Sequence, residues 1–145
     1  MWKVGFQTQI LVVISVFLFL LNFAIAVCDI NGLKEKNDKE GHKAGDLLIK
    51  EASALICDVF SHSPVFRIGG DEFSVVLKGQ DFVNRKELFR KFITTVRKNK
   101  QEGKVVVAIG MSDYIESDWK VQDILDRADN LMYRNKKQLK KRSNV

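Results

Sequence analysis

Proline is nearly absent from this chain: Pro64 is the only one among 145 residues. No proline-rich linker, low-complexity stretch or internal repeat divides the sequence, and its length supports one domain at most. Cysteine is scarce too. Cys28 and Cys57 show no metal-type spacing and are expected to be free, buried thiols, in keeping with a reducing cytoplasm. Histidine is limited to His42 and His62, two isolated imidazoles that make no metal cluster. Charge is missing at the front, where Lys3 is the only charged residue before Asp29. Acid is missing at the back, where the last thirteen residues carry six basic side chains and no carboxylate. The rest of the chain balances at 18 basic against 18 acidic residues, so the net charge of +6 resides in that tail. A basic tail can meet phosphates, nucleic acid or an anionic membrane, or it can be a solvated helix end whose cations suit the helix dipole. No aromatic-interleaved patch accompanies it, which argues against a nucleic-acid partner.

What is present begins with apolar residues. Residues 10–21 form a run of 12, apolar except for Ser15. A bilayer span needs about 20. Extending the run to Val27 reaches that length but consumes residues 23–27, which the domain needs as a strand. Residues 4–22 are therefore a candidate for membrane association rather than a clear span.

From there the chain alternates strand and helix signals. Asn22–Asp29 reads as a buried strand, and a polar stretch from Asn31 to Gly45 as a short helix and loop. Leu47, Leu48, Ala52, Leu55, Ile56, Val59 and Phe60 make a helical stripe, with Asp46 as its candidate N-cap. A hairpin spans about Pro64–Lys78. A second helix starts near Asp81, a Val-rich strand covers Lys104–Ser112, and a last helix runs from Asp118, again a candidate N-cap. The order β-α-β-β-α-β plus a C-terminal helix predicts an α+β fold of the ferredoxin-like type, a four- or five-stranded antiparallel sheet with helices on one face and the last helix beside the edge that carries the acids. In that topology the first strand is antiparallel to the strand after the hairpin turn. Asp29 at its end should then lie beside Gly70-Asp71.

The hairpin itself reads Arg67-Ile68-Gly69-Gly70-Asp71-Glu72-Phe73. Two glycines between short β-type runs signal a tight turn, and Asp71 and Glu72 follow at once. Paired carboxylates where a ligand can approach backbone suit a hard divalent cation and a triphosphate. A bare G-G-D-E is also an ordinary turn with solvated acids. Its surroundings change the balance. Upstream stand Asp29-Ile30-Asn31-Gly32-Leu33-Lys34, Asn37-Asp38, Gly41-His42 and Gly45-Asp46. Downstream come Ala108-Ile109-Gly110-Met111-Ser112, Arg127-Ala128-Asp129-Asn130-Leu131-Met132-Tyr133 and Lys136. In order and spacing, residues 23–141 resemble the GGDEF family, the diguanylate cyclases that condense two GTP into cyclic di-GMP.

That resemblance implies a palm-type nucleotidyl-cyclase fold and a division into a hydrophobic segment 1–22, a GGDEF domain 23–141 and a basic tail 142–145. It implies Mg²⁺ or Mn²⁺ held by Asp29, the Ile30 carbonyl and Asp71, with Glu72 as the neighbouring acid assisting metal binding or hydroxyl deprotonation. Asn37 and Asp46 would read guanine. Gly69, Gly70, Lys136 and Lys140 would bind phosphates. Lys140 stands where relatives commonly carry Arg, keeping charge but not bidentate geometry. The substrate would be GTP, the working unit a homodimer, and the location a cytoplasmic domain with membrane association through residues 4–22. The family's inhibitory R-x-x-D product site is replaced by Phe60-Ser61-His62-Ser63. The opening helix with its D-x-L-T-G-L-x-N-R-R type motif has no match in residues 1–22, which read as a short anchor, a substitute helix or, the favoured reading, a truncated or misread start. A catalytically silent domain that binds GTP or a partner is the alternative.

Overall fold

The computed structural model describes residues 22–141. The expectations placed on residues 1–21 and 142–145 lie outside them. The elements in chain order are β1 (Ala24–Ile30), α1 (Leu33–Glu40), α2 (His42–Val59), β2 (Val65–Arg67), β3 (Glu72–Leu77), α3 (Gly79–Val83), α4 (Arg85–Gln101), β4 (Val107–Asp113) and α5 (Val121–Lys141). The sheet order is β2-β3-β1-β4, every neighbouring pair antiparallel. This is the expected ferredoxin-like arrangement.

β1 is central, and all seven of its residues are buried. Because side chains alternate across a strand, it feeds two cores. Ala24, Ala26, Cys28 and Ile30 pack with Ile56 of α2 and with Phe92 and Val96 of α4. Ile25 and Val27 pack with Ile124, Ala128 and Met132 of α5. α2 and α4 thus share one face, as expected, and α5, the last helix, covers the other. A strand apolar on both sides needs cover on both.

α5 lies against β4 because residue 110 is glycine. A Cβ there would fall 2.1 Å from the Ala128 carbonyl oxygen and 2.2 Å from the Met132 nitrogen. Asn135 Oδ1 accepts the Ile109 N–H at 3.0 Å, pinning the next turn of the helix.

Several local expectations are also corrected. Gly41, at φ +84°, ends α1 and opens α2, so the helix starts at His42 and Asp46 lies inside it rather than capping it. α5 starts at Val121, where Asp123 accepts the N–H groups of Trp119 and Lys120. Asp118 instead accepts the Ile115 N–H and pairs with Arg127. Asp81 belongs to α3 and is buried, accepting the His62 N–H at 3.0 Å and the Ser63 hydroxyl at 2.7 Å. Those two residues thus anchor α3. Cys28 is buried, which pushes its thiol pKa well up and leaves it inert, whereas Cys57 is exposed.

Candidate functional site

The end of β1 carries the site. Asp29 stands opposite Glu72 on β3 and Ala108 on β4. One step on, the Ile30 N–H donates to the Asp71 carbonyl at 2.9 Å, tying the hairpin turn to the strand end. Topology thus brings together two acids 42 positions apart in sequence, as the split βαβ order predicts. Asp71 and Glu72 are half-buried and Asp29 is buried.

The β2–β3 turn is held by its own backbone and by Arg67. The Ile68 and Gly69 N–H groups donate to the Glu72 carbonyl at 2.9 and 3.3 Å. Arg67 Nε and Nη2 take the Gly69 and Gly70 carbonyls at 3.1 and 2.7 Å. The Gly69 amide is therefore engaged in the turn, which modifies its expected phosphate role. Gly70 faces open space: nothing lies within 4 Å of where its Cβ would be. The part played by Arg67 was not read from the sequence, because only the folded turn places a guanidinium over two carbonyls.

α5 brings the cations. Lys136 Nζ lies 2.6 Å from Asp29 Oδ1. The ammonium lies within ion-pair and hydrogen-bond range of that oxygen. No other donor among the described residues reaches Asp29 Oδ1, and Asn31 Oδ1, nearby in sequence, is a buried amide oxygen without one. Burial raises the Asp29 pKa above its ordinary value, the Lys136 ammonium opposes that rise, Asp71 adds to it and Lys140 opposes it weakly. Asp29 thus feels the charges of Lys136, Asp71 and Lys140. A buried carboxylate balanced by a single ammonium, beside a second acid, offers the oxygen ligands a hard divalent cation takes. Among the described residues no cluster of three or more His, Cys, Asp or Glu side chains forms a closed metal cage. A cation here would need the backbone and a ligand to complete its shell.

Asn37 and Asp46 are brought together by the α1–α2 connection. Gly45, buried at the start of α2, leaves the room that the Asn37 amide occupies: a Cβ there would fall 1.8 Å from Asn37 Oδ1. Asp46 is the next residue and is exposed. The carboxylates lie at an open sheet edge. A cavity of about 650 Å³ opens elsewhere, between α4 and α5, and is lined by Ile93, Val96, Arg97, Lys100 and Asn135 among others.

Comparison with known proteins places this geometry. Residues 20–142 match the family model described as "Diguanylate cyclase, GGDEF domain". An uncharacterized membrane protein of Staphylococcus haemolyticus (strain JCSC1435) is 32% identical over 120 residues, 77% of this chain and 34% of that protein. An uncharacterized membrane protein of Staphylococcus aureus (strain USA300) is 32% identical over 125 residues, 81% of this chain and 35% of that one. The chain therefore spans about a third of the length of these curated relatives. Among solved structures, the active GGEEF domain of a diguanylate cyclase from Vibrio cholerae superposes with a TM-score of 0.69 at 26% identity, covering 81% of this chain and 78% of that one. The GGDEF domain of DgcB from Caulobacter crescentus, solved in complex with c-di-GMP, superposes at 0.66 with 23% identity, covering 81% and 73%; this second likeness speaks to the fold alone.

Proposed function

Because the chain belongs to the GGDEF domain family, we propose that it is a diguanylate cyclase domain that converts two GTP into cyclic di-GMP and two pyrophosphates. In each half-reaction the 3′-hydroxyl of one GTP attacks the α-phosphorus of the other. A P–O bond forms, the bond to pyrophosphate breaks, and the hydroxyl proton leaves. The observation that carries this reading is the buried Asp29 carboxylate held beside Asp71 by the Ile30–Asp71 backbone hydrogen bond. Mg²⁺ or Mn²⁺ bound by Asp29, the Ile30 carbonyl and Asp71 would supply neutralisation of the phosphate charge and activation of the attacking oxygen.

The chain's own residues do the rest. Asp29 and Asp71 concentrate negative charge at the strand end. Glu72, next to Asp71, is placed to assist the cation or receive the hydroxyl proton. Gly70 admits a phosphate close to the backbone. Lys136 exchanges Asp29 for a phosphate oxygen when substrate arrives, and Lys140, i,i+4 from it on α5, adds a second point charge. Asn37 and Asp46 meet the guanine edge, the amide serving its acceptors and the carboxylate its donors. One chain presents one GTP, so two copies must face each other and the working unit is a homodimer.

A second reading, a silent domain that binds GTP or a partner without turnover, is favoured by one observation. Lys136 already occupies Asp29, as a permanent internal counter-ion would. The deciding experiment measures cyclic di-GMP formation from GTP with Mg²⁺ or Mn²⁺, in wild type and Asp71→Asn. Turnover that requires metal, rises faster than linearly with enzyme at dilution and falls at least 100-fold in the variant supports the cyclase. GTP binding without turnover selects the silent domain. Full activity in Asp71→Asn, or activity without metal, refutes the mechanism.

A further inference from the structure

The end of the sheet remote from the carboxylates carries an apolar surface that the proposed chemistry does not use. β1 starts there: Ala24 stands opposite Leu77 and Asp113, the last residues of β3 and β4. The connection from β4 to α5 presents Trp119 at 92% exposure, Val121 at 59% and Ile115 at 49%. Val83 of α3, the short helix just after β3, is 59% exposed at the same end. Beside them the Phe23 and Tyr114 rings stack at 5.3 Å, and the Tyr114 N–H donates to the Phe23 carbonyl at 2.9 Å. Exposed apolar residues scattered singly are ordinary. Three within seven positions, one of them a Trp almost wholly in water, are not. The nearby arginines and Asp123 are already engaged, while Glu116 and Lys120 stand exposed among the apolar residues. Arg127 is held by Asp118 and Arg85 by Asp113, and Asp123 accepts backbone N–H groups.

We infer that this end of the fold, built from Ile115, Trp119, Val121 and the Phe23–Tyr114 pair, is a docking surface for a lipid bilayer. Two features select lipid over another occupant. The chain enters the fold at this surface, and the residues just before Asn22, positions 10–21, are apolar except for Ser15. The surface also pairs an exposed Trp with a Tyr beside aliphatic side chains, the combination that settles at the headgroup boundary. Its arginines are in internal pairs and the exposed Lys120 is matched by the exposed Glu116, so the surface has no net excess of cations and apolar contact rather than anionic headgroups drives docking. β1 spans seven residues, roughly 20 Å of strand, so a bilayer at this end leaves Asp29 and Asp71 facing water.

The test uses the full chain and needs no nucleotide, so its outcome is independent of the cyclase reading. Trp2→Phe leaves Trp119 as the only indole, because the sequence has two Trp. The variant is mixed with phosphatidylcholine vesicles, with and without brominated acyl chains. The expected result is a blue shift of Trp119 emission, loss of acrylamide quenching and quenching by the brominated lipid, with no requirement for anionic lipid. Three results overturn the inference: no association with the vesicles; association in which Trp119 keeps the emission and acrylamide quenching of an indole in water, so that residues 1–21 act alone; or a blue shift without vesicles that grows with protein concentration, so that a second copy occupies the surface.

Discussion

Gly110→Ala is the smallest change that should separate the sheet from the helix carrying the lysines. The added methyl would sit 2.1 Å from the Ala128 carbonyl oxygen, 2.2 Å from the Met132 nitrogen and 2.8 Å from the Leu131 carbonyl carbon. The shortest of these is 1.3 Å inside the 3.4 Å at which ordinary contact begins. All three obstacles are backbone, so no side-chain rotation relieves them. α5 must shift bodily, loosening Ile124, Ala128 and Met132 from Ile25 and Val27. Overpacking a core costs about 1–3 kcal/mol. A rigid obstacle and a partly opened second core put this case at roughly 3–4 kcal/mol, or a fall in Tm of about 10–15 °C for a domain this size. The shift also carries Lys136 away from Asp29, so GTP turnover should fall more steeply than the folded fraction does. Urea unfolding followed by circular dichroism measures the first effect, and turnover at a temperature where the variant stays folded measures the second. A variant within about 0.5 kcal/mol of wild type, with unchanged turnover, would refute the account of how α5 is seated.

Three other outcomes are expected. Gly45→Ala places a Cβ 1.8 Å from Asn37 Oδ1, so it should raise KM for GTP by about tenfold with a smaller change in kcat, the loss of one to two guanine hydrogen bonds; an unchanged KM would remove Asn37 from the binding site. Asp118 has its pKa lowered by Arg127, so its contribution is present above the ordinary carboxylate value and is lost as pH falls through the lowered one. The Tm gap between wild type and Asp118→Asn should therefore shrink steadily below about pH 4, and a gap that persists to the lowest pH at which the fold survives would contradict the pairing. Asp29 carries the opposite sign: burial raises its pKa, so the ionised form costs stability as pH rises past its ordinary range. Without added metal, Asp29→Asn should melt above wild type at pH 7 while losing Mn²⁺ binding, as followed by the paramagnetic signal of the free ion. A lower Tm would mean that the Lys136 pair outweighs the burial cost.

The sequence announced its topology through patterns that depend on near neighbours. The unbroken run around Ala24–Ile30 marked a buried strand, and the stripes of α2 and α4 marked core helices. From that order alone Asp29 and Asp71 could be placed together. The failures share a cause. Asp46 and Asp118 looked like caps because Asp often caps, but Gly41 had already started α2, and Arg127 drew Asp118 away from the start of α5. Gly45 and Gly110 matter for what lies across from them rather than beside them in sequence, as do Arg67 over its turn and Asn135 against β4. No periodicity carries such information, because it arises only when separate elements pack. The two-sided cover of the sheet was implicit in β1, whose odd and even positions are both apolar, but that α5 would supply the second face was not.

The hydrogen bond from Ile109 to Asn135 has a consequence for growth. β4 is an outer strand, and an outer strand normally offers a row of backbone donors on which a foreign strand can template itself. Here the amide in the middle of that row is already spent on a side chain of the chain's own last helix, and the opposite border, β2, is only three residues long. Both margins of the sheet are poor starting points for lengthening it. Contact between copies of this domain through strand addition is thereby disfavoured at both borders.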